Sequence, residues 1–240
     1  TINFGSRTAG ILLPAVGMDG LICGMQIRLD MSLRRRDDPP GKSGAKYIWL
    51  SSIGKPHGVT SGSPLHFVGE PFAKTVYVTE GLLKADIAYC LTGRSFVAVA
   101  GVNSLNGLES ALRCMAQNGT KLVVEAYDMD KYMPVACMRD YEAKKCAACI
   151  QSGGREAYCP DGSCRYKERK RQMIQEAQDS LQKIIAKAGL IGRSYHWDRD
   201  PVSGLWLGNK KGIDDYCSMR RGGMSHAGAG YPGSARTGAL

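Results

Sequence analysis

The residues in this chain that could do chemistry are carboxylates placed where apolar runs stop. The stretch TVYVTEGLLKA, residues 75–85, carries a buried-looking strand, Val76-Tyr77-Val78, into Glu80-Gly81 and then at once into a helical pattern from Leu82 to Leu91. That order puts one carboxylate at the carboxyl end of a sheet, the rim where open α/β sheets bind ligands. A second run, KLVVEAYD (121–128), ends in Asp128, with Asp130 two residues on. If the two strands are neighbours, Glu80, Asp128 and Asp130 share one rim, and an i, i+2 pair leaving an extended strand points to one side. Three carboxylates that close repel unless a cation sits among them, and hard oxygen ligands suit Mg²⁺ or Mn²⁺. KGIDDY (211–216) offers Asp214 and Asp215 as further acids near the same edge. A lone Asp-x-Asp is ordinarily a solvated turn. The glutamate at a second strand end tips the balance towards metal.

The elements that must hold these acids follow from the changing period of the chain. From residue 75 a strand (75–80), a helix (82–91), a strand (95–101), a helix (107–117) and a strand (121–128) alternate, the pattern of a parallel sheet with helices on its faces. A further helix is expected after Met133-Pro134. A long one is expected from Arg165, with Ile174, Ala177, Leu181, Ile184, Ile185 and Ala188 on one stripe and Lys167, Arg169, Lys170 and Arg171 on its opposite face and first turns. Gly189 ends it. RSYHW (193–197) reads as a last strand, KKGIDDY (210–216) as an acidic turn and the tail from Gly222 as disordered. Before residue 75, GILLPAVGMDGLICGMQIRLDM has a hairpin pattern around Met18-Asp19-Gly20, and KYIWLSS (46–52) a third strand. Between them lies a broken basic loop with Arg34, Arg35, Arg36, Lys42 and Lys46. Basic residues interleaved with Tyr47 and Trp49 suit phosphates and a stacking face, although at least one of the two rings is expected in a core.

Composition narrows the class. The 240 residues, with a net charge of +10 and pI near 9.2, allow one large or two small domains and favour a polyanionic partner. Nine cysteines without a signal peptide point to a reducing cytoplasm, and no apolar run is long enough to span a bilayer. With Thr1 first, the expectation is a piece of something longer.

VTEGLLKADIA, VAVAGVNSL, VVEAYDMD and KGIDDY, in that order and spacing, resemble the Toprim domain of bacterial primases, topoisomerases and certain nucleases. The upstream GILLPAVGMDGLICGMQIRLD and AKYIWLSS are similar to the small subdomain that precedes Toprim in DnaG-type primases. The resemblance covers roughly residues 9–216. It implies a small mixed α+β N-terminal subdomain (1–70), a Toprim α/β domain (71–218) with a Cys-rich insertion near 146–164, and a flexible tail (219–240). It implies that Glu80, Asp128 and Asp130 hold Mg²⁺ or Mn²⁺, with Asp214 a further acid, and that Arg28 and Lys46 face nucleic acid. Its implied partners are a single-stranded DNA template and nucleoside triphosphates, with a replicative helicase reached through regions outside this chain. Two positions depart from the family. The residue four after the first glutamate is usually aspartate and here is Lys84. The late turn usually has two aspartates separated by proline, and here Gly212-Ile213 precede Asp214-Asp215. Both changes remove acids from the second metal position, so one cation is expected, with Lys84 replacing part of that charge or pairing with Asp214.

Nucleotidyl transfer depends on positioning and electrostatic stabilisation, which these acids could supply, with Lys84 and Lys131 as further phosphate contacts. The expected activity is therefore primase-like primer synthesis on single-stranded DNA. A Toprim nuclease and a non-catalytic nucleic-acid-binding module are the alternatives. The four thiols Cys146, Cys149, Cys159 and Cys164 suit a tetrahedral zinc site in count and in their first C-x-x-C, and equally suit reduced thiols a helical turn apart. Cys23, Cys90, Cys114 and Cys137 read as small core residues, and the four histidines form no ligand motif.

Overall fold

The computed structural model describes residues 9–34, 44–137, 149 and 162–222. Two sheets organise them. The first is antiparallel, in the order β1 (Gly10–Val16), β2 (Ile22–Leu33), β3 (Ala45–Trp49). Its hairpin closes where expected: Gly17 N donates to Leu21 O at 2.8 Å, and the Asp19 carboxylate accepts from Leu21 N at 3.0 Å. The second sheet runs β4 (His66–Val68), β6 (Ser95–Val99), β5 (Thr75–Glu80), β7 (Leu122–Glu125), β8 (Ile191–Ser194), all parallel except β4.

Helices cover both faces of this parallel-dominated sheet: α1 (Leu82–Thr92), α2 (Leu108–Gln117), α3 (Arg165–Lys187) and α4 (Ile213–Gly222), with a 3₁₀ turn at Met129–Tyr132. Strand alternation sends Val76 and Val78 to one face, where Leu108, Leu112 and Met115 of α2 and Ile174, Leu181 and Ile185 of α3 bury them. Tyr77 goes to the other face, among Ala85 and Ala88 of α1, Trp197, and Ile213 and Cys217 of α4. Full burial of each such aliphatic side chain is worth about 1.5–3 kcal/mol. The stripe read for α3 is the buried one, with Ile184 at its margin. The helix ends at Gly189, whose φ of 75° glycine adopts without strain.

A third, smaller core fastens the antiparallel sheet to the start of α1. Leu13 and Ala15 of β1 and Trp49 of β3 meet Leu82 and Leu83. His66 adds a polar tie: its Nδ1 accepts from Val16 N at 3.1 Å, so its Nε2–H donates to Asp86 Oδ1 at 2.9 Å. Through these contacts the small sheet stands beside the end of β5.

Several expectations shift. β4, inside the segment assigned to the N-terminal subdomain, hydrogen-bonds to the larger sheet. Residues 135–137 are not helical; Ala136 forms a bridge with Ser163, and the rest of the helix expected after Pro134 lies outside the described residues. The last strand is Ile191–Ser194 rather than 193–197, because its register is set by pairing with all of β7. Residues 213–216 open α4 rather than forming a turn. Cys23 and Cys90 are exposed, not core, while Cys217 is buried. Lys167 is also not on a solvated face: it is buried, its ammonium donating to Ala136 O at 3.0 Å.

Candidate active site

Four elements deliver the acids to the carboxyl edge of the parallel sheet. β5 carries Glu80 to its last position, and Gly81 turns the chain sharply into α1 with φ 85° and ψ 126°, while its N–H donates to Val99 O at 2.8 Å. A positive φ of that kind suits glycine and strains other residues. One helical turn on, α1 presents Lys84 on the same side as Glu80. β7, paired with β5 through Val78 and Glu125, ends at Glu125, three residues short of the expected Asp128. Asp128 instead follows an irregular step, and Asp130 sits in the 3₁₀ turn. The strand-alternation argument for this pair therefore fails, although the turn still brings both carboxylates to the rim. They are 1 % and 4 % exposed.

Ammonium groups thread these acids. Lys84 Nζ lies 3.2 Å from Glu80 Oε1 and 2.5 Å from Asp128 Oδ1. Lys211, just before α4, lies 3.1 Å from Asp128 Oδ2 and 3.0 Å from Asp130 Oδ2. Lys170 of α3 donates to Asp130 Oδ2 at 2.6 Å. Lys84 thus pairs with Glu80 and Asp128, and its charge acts on Asp214 only at longer range. Among the described residues no group of three or more His, Cys, Asp or Glu side chains is ready-made to hold a metal ion.

The electrostatics separate the two innermost acids. Burial, reinforced by the Asp128 charge, pushes the Glu80 carboxyl up to about 7, against the pull of Lys84. Burial works to raise Asp128 too, but Lys84, a hydrogen bond with Glu80 and Lys211 outweigh it and hold that carboxyl down at about 2. Burial and the neighbouring Asp215 push Asp214 upward. Lys211 is raised despite burial, because Asp128 and Asp130 favour its charged form. Two buried carboxylate oxygens, Asp128 Oδ2 and Asp214 Oδ1, have no hydrogen-bond partner, and the former meets Lys211 only as an ion pair.

The remaining site residues divide. Arg28 and Tyr47 are register partners on β2 and β3, so they share the face of the small sheet that also carries Gln26 and Trp49. Tyr47 is half-exposed whereas Trp49 is packed in the small core, the split expected for this aromatic pair. Lys46, one residue before Tyr47, takes the opposite face and is exposed. Arg34 follows β2; Arg35 and Arg36 lie outside the described residues, as do Cys146 and Cys159, so the four-thiol zinc set cannot be assembled from Cys149 and Cys164. Lys131 is no phosphate contact. It is fully buried, 2.6 Å from Glu125 Oε1. Lys170 and Lys211 are site residues that the sequence reading does not single out; Lys170 reads there as part of a polar helix face, and Lys211 as the first residue of the acidic KGIDDY stretch.

No family model matches this chain, and no curated protein matches it. Among solved structures it is similar to the crystal structure of the Aquifex aeolicus primase (zinc-binding and RNA polymerase domains), with 16% sequence identity and a TM-score of 0.32. The match covers 74% of this chain and 45% of that one. A likeness so loose says nothing of this chain's activity.

Proposed function

We propose that this rim performs primase-like, metal-dependent nucleotidyl transfer, making primers on single-stranded DNA. The observation that carries the reading is the gathering of Glu80, Asp128 and Asp130 at one edge, bridged by Lys84 and Lys211, with Asp214 near enough to feel the Lys84 charge. Hard oxygen donors suit one divalent cation, which would have to draw together acids that the lysines now hold apart. The fit requires Lys84 and Lys211 to swing outward, which long side chains about one-quarter and one-half exposed can do. A second cation is not expected, because Lys84, even when displaced from Glu80 and Asp128, keeps its positive charge at the same edge.

Glu80, Asp128, Asp130 and Asp214 would hold Mg²⁺ or Mn²⁺, which when bound supplies charge neutralisation for a triphosphate and acidifies an attacking hydroxyl. The chain's own groups do the rest. Glu80 would either complete the cation's shell or accept a proton from that hydroxyl. Asp128 stays ionised throughout and anchors positive charge. Lys84, Lys170 and Lys211, once released from the carboxylates, would offer their ammonium groups to phosphate oxygens at the same edge.

The second reading, a nucleic-acid-binding module without catalysis, is favoured by the Lys84 ammonium standing 2.5 Å from Asp128, where it already supplies a cation's charge. A nuclease would use the same acids. Incubating the protein with end-labelled single-stranded DNA, nucleoside triphosphates and Mg²⁺ or Mn²⁺ separates all three. New, longer products support primer synthesis, shortened template supports the nuclease, and salt-sensitive binding with neither product leaves the module.

A further inference from the structure

Between the small sheet and the rim opens a cavity of about 230 Å³, walled on one side by Gln26 and Tyr47 and on the other by Glu80, Lys84, Leu83 and Ala100. Gln26 is its anomaly. The residue is 5 % exposed, lies on β2 opposite Leu13 and Trp49, and makes no side-chain hydrogen bond among the described residues. Its amide atoms are not among the side-chain groups cut off from solvent without a partner, so donor and acceptor are open to the cavity, where the complementary edge of a ligand would replace water.

The shape of that partner follows from the walls. A glutamine amide presents a donor and an acceptor side by side in one plane, the pattern that pairs with the N6/N7 edge of adenine. The half-exposed Tyr47 ring offers a stacking face, and Leu83 and Ala100 supply apolar walls. The volume lies below the roughly 300–1,000 Å³ typical of larger ligands, so a single base enters and its sugar and phosphate remain outside. There Lys84 stands on the rim side. Arg28, two residues beyond Gln26 on the same sheet face, is exposed and makes no ion pair among the described residues.

We propose that this cavity is a nucleobase pocket, with Gln26 reading an adenine edge, and that it seats the nucleotide on which the rim acts. This rests on the nucleic-acid reading of the rim. The base could arrive on a free mononucleotide or on a single strand, and the test has an arm for each. Equilibrium affinities of the whole protein are measured in EDTA, for AMP, UMP and ribose 5-phosphate in one arm. The other arm uses short oligonucleotides carrying adenine, uracil or an abasic position. AMP is expected to bind at least about tenfold more tightly than ribose 5-phosphate and more tightly than UMP. Gln26→Leu should erase that preference, while Tyr47→Ala should weaken AMP and leave ribose 5-phosphate unchanged. Tyr47 is half-exposed, so its variant carries the comparison should Gln26→Leu not fold. A base preference confined to the oligonucleotides supports the pocket and assigns it to the strand. Equal binding of base-bearing and base-less ligands in both arms overturns the proposal, as does AMP affinity unchanged in both variants. No metal or turnover enters these measurements, so failure of primer synthesis would leave the pocket standing, and failure of the pocket would leave the rim acids untouched.

Discussion

Two lysine–carboxylate clusters lie a few residues apart, and they are built differently. Lys131 and Glu125 are both fully buried and 2.6 Å apart, and both carboxylate oxygens are hydrogen-bonded: Glu125 also accepts from Tyr127 N and Gln178 Nε2, while Lys131 sits over the rings of Tyr132 and Trp197. Lys84, Lys170 and Lys211 pair with Glu80, Asp128 and Asp130 at similar distances, but all three ammonium groups are partly exposed, and nearby Asp214 keeps one buried oxygen without a hydrogen bond. Ion-pair distance alone does not separate the two clusters. Exposure of the cation does.

The comparison is broken most directly at the buried pair. Lys131→Met should destabilise the protein by about 3–5 kcal/mol, because it strands a buried carboxylate. Adding Glu125→Gln should recover part of that loss, as a denaturation cycle would read. If the single variant costs less than the surface median of about 1 kcal/mol, the pair is not the structural one.

At the rim, Asp128→Asn should cost about 2 kcal/mol of stability, from a carboxyl held near 2 against the usual 3.8. That contribution is present above the unfolded value and disappears as pH falls through about 2. Its larger consequence should be functional, a loss of primer extension of about a hundredfold or more. Substantial extension by a folded Asp128→Asn protein would remove Asp128 from the chemistry.

Glu80 has the opposite sign. With its carboxyl raised from 4.5 to about 7, the folded state binds more protons than the unfolded state in that window, so stability falls as pH rises through it. Glu80→Gln, measured in EDTA, should therefore be more stable than the unsubstituted protein at pH 8, on the order of 1–2 kcal/mol, with the difference closing below pH 4.5. Equal pH profiles for the two proteins would contradict the assignment.

The smallest expected effect lies in the basic loop. Replacing Arg34, Arg35 and Arg36 with Ala should flatten the log–log salt dependence of DNA binding by up to about three contacts. An unchanged slope would make the loop a solvated surface only.

The alternation that builds the parallel sheet is plain from residue 75 onward, because strands buried on both faces and amphipathic helices leave distinct periods. Glu80 was legible for the same reason, as a carboxylate where a strand pattern stops against Gly81. Telling Lys84 from Lys131 was not. Each follows an acid closely, and what buries Lys131 is Trp197 and Tyr195, some 65 residues further along and brought in by β8. β4 is three residues long, too short to show a period, and pairs with a strand that follows it by nearly thirty positions. Gln26 reads as one more polar residue on a strand until Leu13, Trp49 and Leu83 are seen around it.

The central claim is that the rim, unlike the buried pair, holds a cation that can displace its own lysines. Titrating Mn²⁺ into the protein at pH 8, with free Mn²⁺ followed by its electron paramagnetic resonance signal, tests it most directly. One tight site is expected, lost in Asp128→Asn and joined by a second, weaker site in Lys84→Asp. No site in the native chain, or two at the rim while Lys84 is in place, would contradict the account.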